Sequence, residues 1–196
     1  MAIEQLQFTI TGTAPFLMHS NRGVNPREPL AKQLKAITAK RTKSEEDLDE
    51  IARIEWELGM YHDAKTGPYI PAEMMLACLR DAAKKTKQGK SILEAVMVDE
   101  SRIPLRYDGP RDITGLYDDG RFFDLRPARV MGRTVNRARP IFLDWSASFS
   151  LSVDGELIDP EDICRILETA GRRVGLGDYR PTHGRFTVAL TGRKEE

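Results

Sequence analysis

Hydrophobic and polar positions alternate in three places along the chain, and each alternation predicts a strand with one buried face. Leu6, Phe8 and Ile10 are separated by Gln7 and Thr9. Trp145, Ala147, Phe149, Leu151 and Val153 alternate with Ser146, Ser148, Ser150 and Ser152. One face of that strand is therefore apolar, and the other, almost all serine, is either solvated or lies under a ligand. Phe186, Val188 and Leu190 repeat the pattern near the C-terminus.

Helical spacing occurs three times as well. Ser44 and Asp47 form an N-cap with a carboxylate three residues on, ahead of a stripe of Leu48, Ile51, Ile54 and Leu58. Met75, Cys78, Leu79 and Ala82 line one face of a helix predicted from Ala72 to about Lys85. Asp159 as N-cap and Pro160 at the first helical position open a third, carried by Ile163, Ile166, Leu167 and Ala170, with Gly171 as its stop. Ile92 to Val98 suits a strand or a short helix. From Ser101 to Pro140 no period survives, which predicts a functional loop, a long hairpin or a disordered excursion.

With one further strand in the middle, the order becomes βαββαβ. The expected fold is α+β: a ferredoxin-like (RRM-like) antiparallel sheet with two helices on one face and two sizeable insertions. The insertions fall at about 21–66 and 102–140, within a single domain over 1–196. That length suits one core.

Composition narrows the function. Lysine plus arginine and aspartate plus glutamate both number 30, so the net charge is zero and only its distribution can attract nucleic acid. No apolar run approaches the roughly 20 residues of a membrane span, and no secretory leader is recognisable. Cys78 and Cys164 read as buried free thiols, which implies a cytoplasmic protein. No Cys/His cluster has zinc spacing, and no cofactor motif is present.

The candidate chemistry lies in two arginine-rich segments. The first joins the last helix to the last strand and carries Arg172, Arg173, Gly175, Gly177, Tyr179, Arg180, His183, Gly184 and Arg185. Glycines between a strand and a following helix would mark a dinucleotide site; here the helix comes first and no Lys-Ser/Thr follows. What is left is either turn geometry or a backbone open to close approach, with guanidiniums able to fork onto phosphate and Tyr179 able to stack. The second segment carries Arg121, Arg126, Arg129, Arg133, Arg137 and Arg139 against one acid, Asp124, with Phe122 and Phe123 interleaved. Basic residues mixed with aromatics are the pattern of single-strand binding. His19 and His183 would share one sheet edge if the first and last strands pair, which gives a metal-independent ribonuclease as the alternative.

Two stretches resemble the RAMP superfamily of CRISPR-associated RNA-binding proteins. Pro68-Tyr69-Ile70-Pro71, running into a helix with Leu79-Arg80, is similar to that family's Tyr-Ile-Pro helix start. Ala72-Glu73 stands where the family has Gly-Ser. The segment from Gly171 to Val188 is similar to its C-terminal glycine-rich loop. The resemblance implies a modified ferredoxin-like domain, with the two insertions as thumb-like or web-like elements. It also implies a non-catalytic backbone-type subunit, because the processing endonucleases of the family usually carry two such domains.

The expected partner is then single-stranded RNA or DNA, bound by several copies in a homo-oligomer or filament, within or outside a larger ribonucleoprotein, and no membrane. The expected contacts are Arg80, Arg126, Arg129, Arg133, Arg137, Arg172, Arg173, Gly175, Gly177, Tyr179, Arg180 and Arg185. A phage or plasmid assembly or inhibitor protein without nucleic acid contact is the third reading.

Overall fold

The computed structural model describes residues 3–130 and 132–195. The chain opens with β1 (Ile3–Gly12) and a two-residue β2 (Phe16–Leu17), then a 3-10 turn at Asn21–Val24. Two helices follow, α1 (Pro29–Thr38) and α2 (Glu45–Gly59), then short β3 (His62–Asp63) and β4 (Gly67–Pro71). Next come α3 (Ala72–Ala83), α4 (Gly89–Ala95), β5 (Val96–Val98) and β6 (Arg102–Arg106). After α5 (Ile113–Asp119) the chain forms the hairpin β7 (Phe123–Val130) and β8 (Arg133–Phe142), then β9 (Ser146–Asp154), α6 (Pro160–Arg173) and β10 (Phe186–Glu195).

The larger sheet has the order β10-β1-β9-β6-β4-β3, with β5 also paired to β9. Taking β5 and β6 together as the second strand of the plan, the central order is fourth-first-third-second and every described pairing is antiparallel. This is the ferredoxin-like α+β arrangement. Alternation sets the register: Leu6, Phe8 and Ile10 stand opposite Leu151, Phe149 and Ala147. All six are buried, and the helix faces carrying Met75, Cys78 and Leu79 of α3 and Ile163, Leu167 and Ala170 of α6 join the same core. A one-residue slip would turn each of these strand side chains out to solvent.

The second strand is broken in two. Between β5 and β6 the Glu100 carboxylate accepts from the Ser150 backbone N–H at 2.9 Å, standing in for a missing ladder partner. The patch at Ile92–Val98 thus holds both predicted elements, the end of α4 and all of β5.

Both insertions are ordered structure. Ser44 makes the predicted capping box with Asp47 at the start of α2, while the basic stretch before it contains α1, which no clean stripe announces. The second expected range, 102–140, begins inside β6 of the main sheet, and what is inserted after β6 is a short helix plus the β7–β8 hairpin, which pairs with β2 as a separate three-stranded sheet. Trp56 of α2 donates to the Phe122 carbonyl at 2.8 Å, so the two insertions support each other. Phe122 itself is 5% exposed and packs on Tyr107 and Phe142, which makes it a core residue rather than an open stacking face.

The predicted helix stop at Gly171 needs correction: α6 continues to Arg173. Gly171 is there for packing, because a Cβ would lie 2.1 Å from the Phe186 carbonyl oxygen. Among the described residues no helix is long and apolar enough to cross a membrane. Both cysteines are unpaired; Cys78 is buried, which pushes its thiol up to about 12.

Candidate nucleic-acid interface

The loop between α6 and β10 is built against the start of the chain. The Asp178 N–H donates to the Leu17 carbonyl at 2.9 Å, Gly184 N–H to Pro15 at 2.7 Å, and Leu176 N–H to Gly184 at 2.9 Å. Gly175 and Gly177 hold φ near +78° and +73°, and a Cβ on Gly177 would meet the Leu17 carbonyl oxygen at 2.3 Å. These glycines therefore serve close approach of the chain to itself.

The hairpin docks on this loop through arginines. Arg126 and Arg139 lie over the Tyr179 ring, 5.2 and 5.3 Å from its centroid. The Tyr179 hydroxyl donates to the Pro127 carbonyl at 3.0 Å. Arg126 is held by Asp124 and contacts His183 Nε2 at 3.0 Å, and Arg139 stands 3.1 Å from Asp178. Arg137 pairs with Glu55 of α2, whose carboxylate also accepts from the Ala138 N–H at 3.3 Å.

The remaining candidates divide by their partners. Arg80 forks onto Asp81 at 3.1 and 2.9 Å, and Arg180 reaches the same carboxylate only at 3.8 Å. Arg185 donates to the Pro181 carbonyl at 2.6 Å. Arg129, Arg172 and Arg173 are exposed and make no ion pair with any described residue. Arg133 begins β8, and its side chain falls outside the described residues.

Three clefts meet around this loop. A polar one of about 550 Å³ is lined by Lys85, Arg173, Gly177, Tyr179 and Arg180. It shares Gly177, Asp178 and Arg180 with a second of about 500 Å³, which reaches His19, Tyr61 and Met74. His19 in turn borders a third of about 270 Å³, walled by Leu34, Leu58, Glu55, Arg137 and Arg139. Shared lining residues thus set the three clefts in series, a groove from the end of α6, past His19, to the base of the hairpin. Arg172, on the last turn of α6, and Arg129, near the tip of the hairpin, line none of the three.

β1 and β10 do pair, and Asp178 acts on both rings, yet each histidine sits beside its own arginine. His19 and His183 are both held below the usual histidine range, chiefly by desolvation and then by a nearby guanidinium, Arg139 and Arg126 respectively. Both are consequently neutral at pH 7. Since Arg126 can only donate, His183 Nε2 is an acceptor, and Nδ1, 3.2 Å from the Thr182 hydroxyl, carries the proton. Among the described residues no group of three or more His, Cys, Asp or Glu side chains is arranged to hold a metal ion.

Sequence reasoning missed three participants. Lys85 was legible only as the approximate end of the helix that starts at Ala72, and it lies in the 3-10 turn Lys84–Thr86 that follows α3. Asp178 was hidden among glycines and arginines. Glu55 carries no local signal, because its arginine partner lies 82 positions away.

No protein-family profile matches the chain, and no curated protein is similar to it in sequence. Solved structures do match. One is a chain in a cryo-EM structure of the Type III-B Cmr-beta bound to cognate target RNA, at 13% identity and a TM-score of 0.56. The alignment covers 99% of this chain and 61% of that one. A likeness at this identity establishes the fold alone.

Proposed function

We propose that the chain binds single-stranded RNA along this groove, without cleaving it, as a RAMP-like backbone subunit that assembles in several copies. The observation that carries the reading is the groove itself. Its polar cleft of about 550 Å³ is lined by Lys85 and Arg173, with no ion pair among the described residues, beside the weakly paired Arg180 and the carboxylates of Asp81 and Asp178. Such cations release counterions when they meet phosphate, which is the main source of affinity in single-strand binding. The fold it shares with a chain of an RNA-bound complex adds support.

Arg126 and Arg139 take a different part in this reading. Stacked on Tyr179 and held by Asp124 and Asp178, they fix the hairpin, leaving Arg129 and Arg133 further out along it. Cleavage is set aside because both ring nitrogens of His183 have partners, and among the described residues no acid–base group hydrogen-bonds to the His19 ring. Fluorescence anisotropy with mixed-sequence single strands tests the proposal. Tight binding that weakens steeply with salt is expected, stronger for RNA than for DNA. No binding at low salt would overturn it, and cleavage in EDTA lost in His183→Ala or His19→Ala would replace it with the ribonuclease.

A further inference from the structure

The third cleft differs in chemistry from the groove that leads to it. Its side walls are apolar, Leu34 from α1 and Leu58 from α2, and its back is polar. There the Glu55 carboxylate is fixed by Arg137 and the Ala138 N–H, and Arg139 is 8% exposed. Arg139 Nη1 has no hydrogen-bond partner among the described residues, an uncommon state for a buried charged group. Gly23 leaves one wall open, with a Cβ there pointing to within 3.6 Å of Leu58 Cδ1.

A phosphate does not suit this cleft, because the apolar walls would desolvate it and Glu55 would repel it. A purely apolar ligand would leave the arginine and carboxylate facing hydrocarbon. A flat ring with apolar faces and a polar edge satisfies both sides: its carbonyl or ring nitrogen accepts from the Arg137 guanidinium, 39% exposed at the cleft, and its N–H donates to Glu55. His19 borders both this cleft and the one holding Arg180, so the ring's own phosphate lies on the Arg180 side, where that guanidinium faces it alongside Asp178 and Glu73.

We infer that the cleft between α1, α2 and β8 is a nucleobase subsite whose ligand is a base carrying a phosphate. The source is a residue of a bound strand, in which case the site rests on the single-strand reading above, or a free mononucleotide.

The test uses 2-aminopurine in two arms, with the full chain throughout. The first measures anisotropy of 2-aminopurine riboside 5′-monophosphate. The second scans a single 2-aminopurine along a short oligoribonucleotide and looks for the rise in fluorescence that follows unstacking. Leu34→Trp and Gly23→Leu fill the cleft from different walls, and thermal melting confirms that each variant folds. The expected result is a signal in at least one arm that weakens about tenfold in both variants, the scale of one base contact.

A mononucleotide signal without any strand binding would keep the subsite and remove the single-strand reading. Strand binding with no fill-sensitive signal in either arm would remove the subsite and keep the reading. If neither ligand binds, both fall.

Discussion

Arg126 meets His183 Nε2 at 3.0 Å across 57 positions of sequence, and this contact joins the hairpin to the glycine loop. It exists only while the imidazole is neutral, since a protonated ring would turn a second donor toward the guanidinium. Desolvation, then Arg126, lowers the His183 pKa from 6.5 in the folded chain. The unfolded chain therefore takes up the proton first as pH falls. Stability contributed by the neutral ring is complete above pH 6.5 and is lost as pH drops below that through the folded value. His19 shifts in the same direction and adds to the slope. Melting temperature measured from about pH 7.5 to pH 5 should fall on the acid side, and fall less in His183→Gln. An equal fall in the two proteins would show that the contact contributes nothing.

Gly177→Ala should destabilise the chain by about 3 kcal/mol, combining left-handed strain with a Cβ driven into a backbone oxygen. The oxygen is that of Leu17, so the damage reaches the segment that carries His19. Urea denaturation would report it as a lower midpoint with an unchanged slope.

Lys85→Ala together with Arg173→Ala should leave melting unchanged, because neither side chain holds an ion pair among the described residues. Strand affinity should drop, and the log–log salt slope should flatten by about 0.7 for each phosphate that is no longer neutralised. An unchanged slope would move the phosphate path away from the end of α6.

Arg137→Ala strips the counter-charge from Glu55, whose side chain is 9% exposed. The variant should lose about 2 kcal/mol, because a largely buried carboxylate is left with one backbone donor. Adding Glu55→Gln should recover part of that, and a double-mutant cycle over the four proteins measures the coupling.

Assembly along a strand has its own readout. Glu45, Glu46 and Asp49 are exposed on α2, opposite in sign to the exposed Arg129, Arg172 and Arg173. Sedimentation with a long single strand should show species of several copies, which high salt disperses. One copy per strand at saturation would remove the filament.

What the sequence made legible follows physical range. The β1, β9 and β10 alternations and the α3 and α6 stripes are local signals, and they sufficed for the β10-β1-β9 centre of the sheet and for both helices of the core, whereas β4 and β3, which extend the sheet beyond β6, carry no such alternation. The hairpin was one of three outcomes for the aperiodic stretch. Its strands escape a period-two reading because Arg126, Arg137 and Arg139 are bound to partners on other elements. The glycines were legible as glycines, but their use for self-packing required knowing that Pro15 and Leu17 lie beneath them. Tyr179 reads as a stacking residue in the sequence and stacks on the chain's own guanidiniums in the fold.

Arg106 of β6 and Ser146 of β9 are direct partners on the ladder, and the whole hairpin excursion leaves and returns through that single rung. Closing a longer loop between fixed ends costs only a logarithm of its length. The excursion is free to lengthen, shorten or change its charges over evolutionary time while the sheet keeps its register. A sheet whose register is independent of the excursion keeps its fold recognisable at 13% identity.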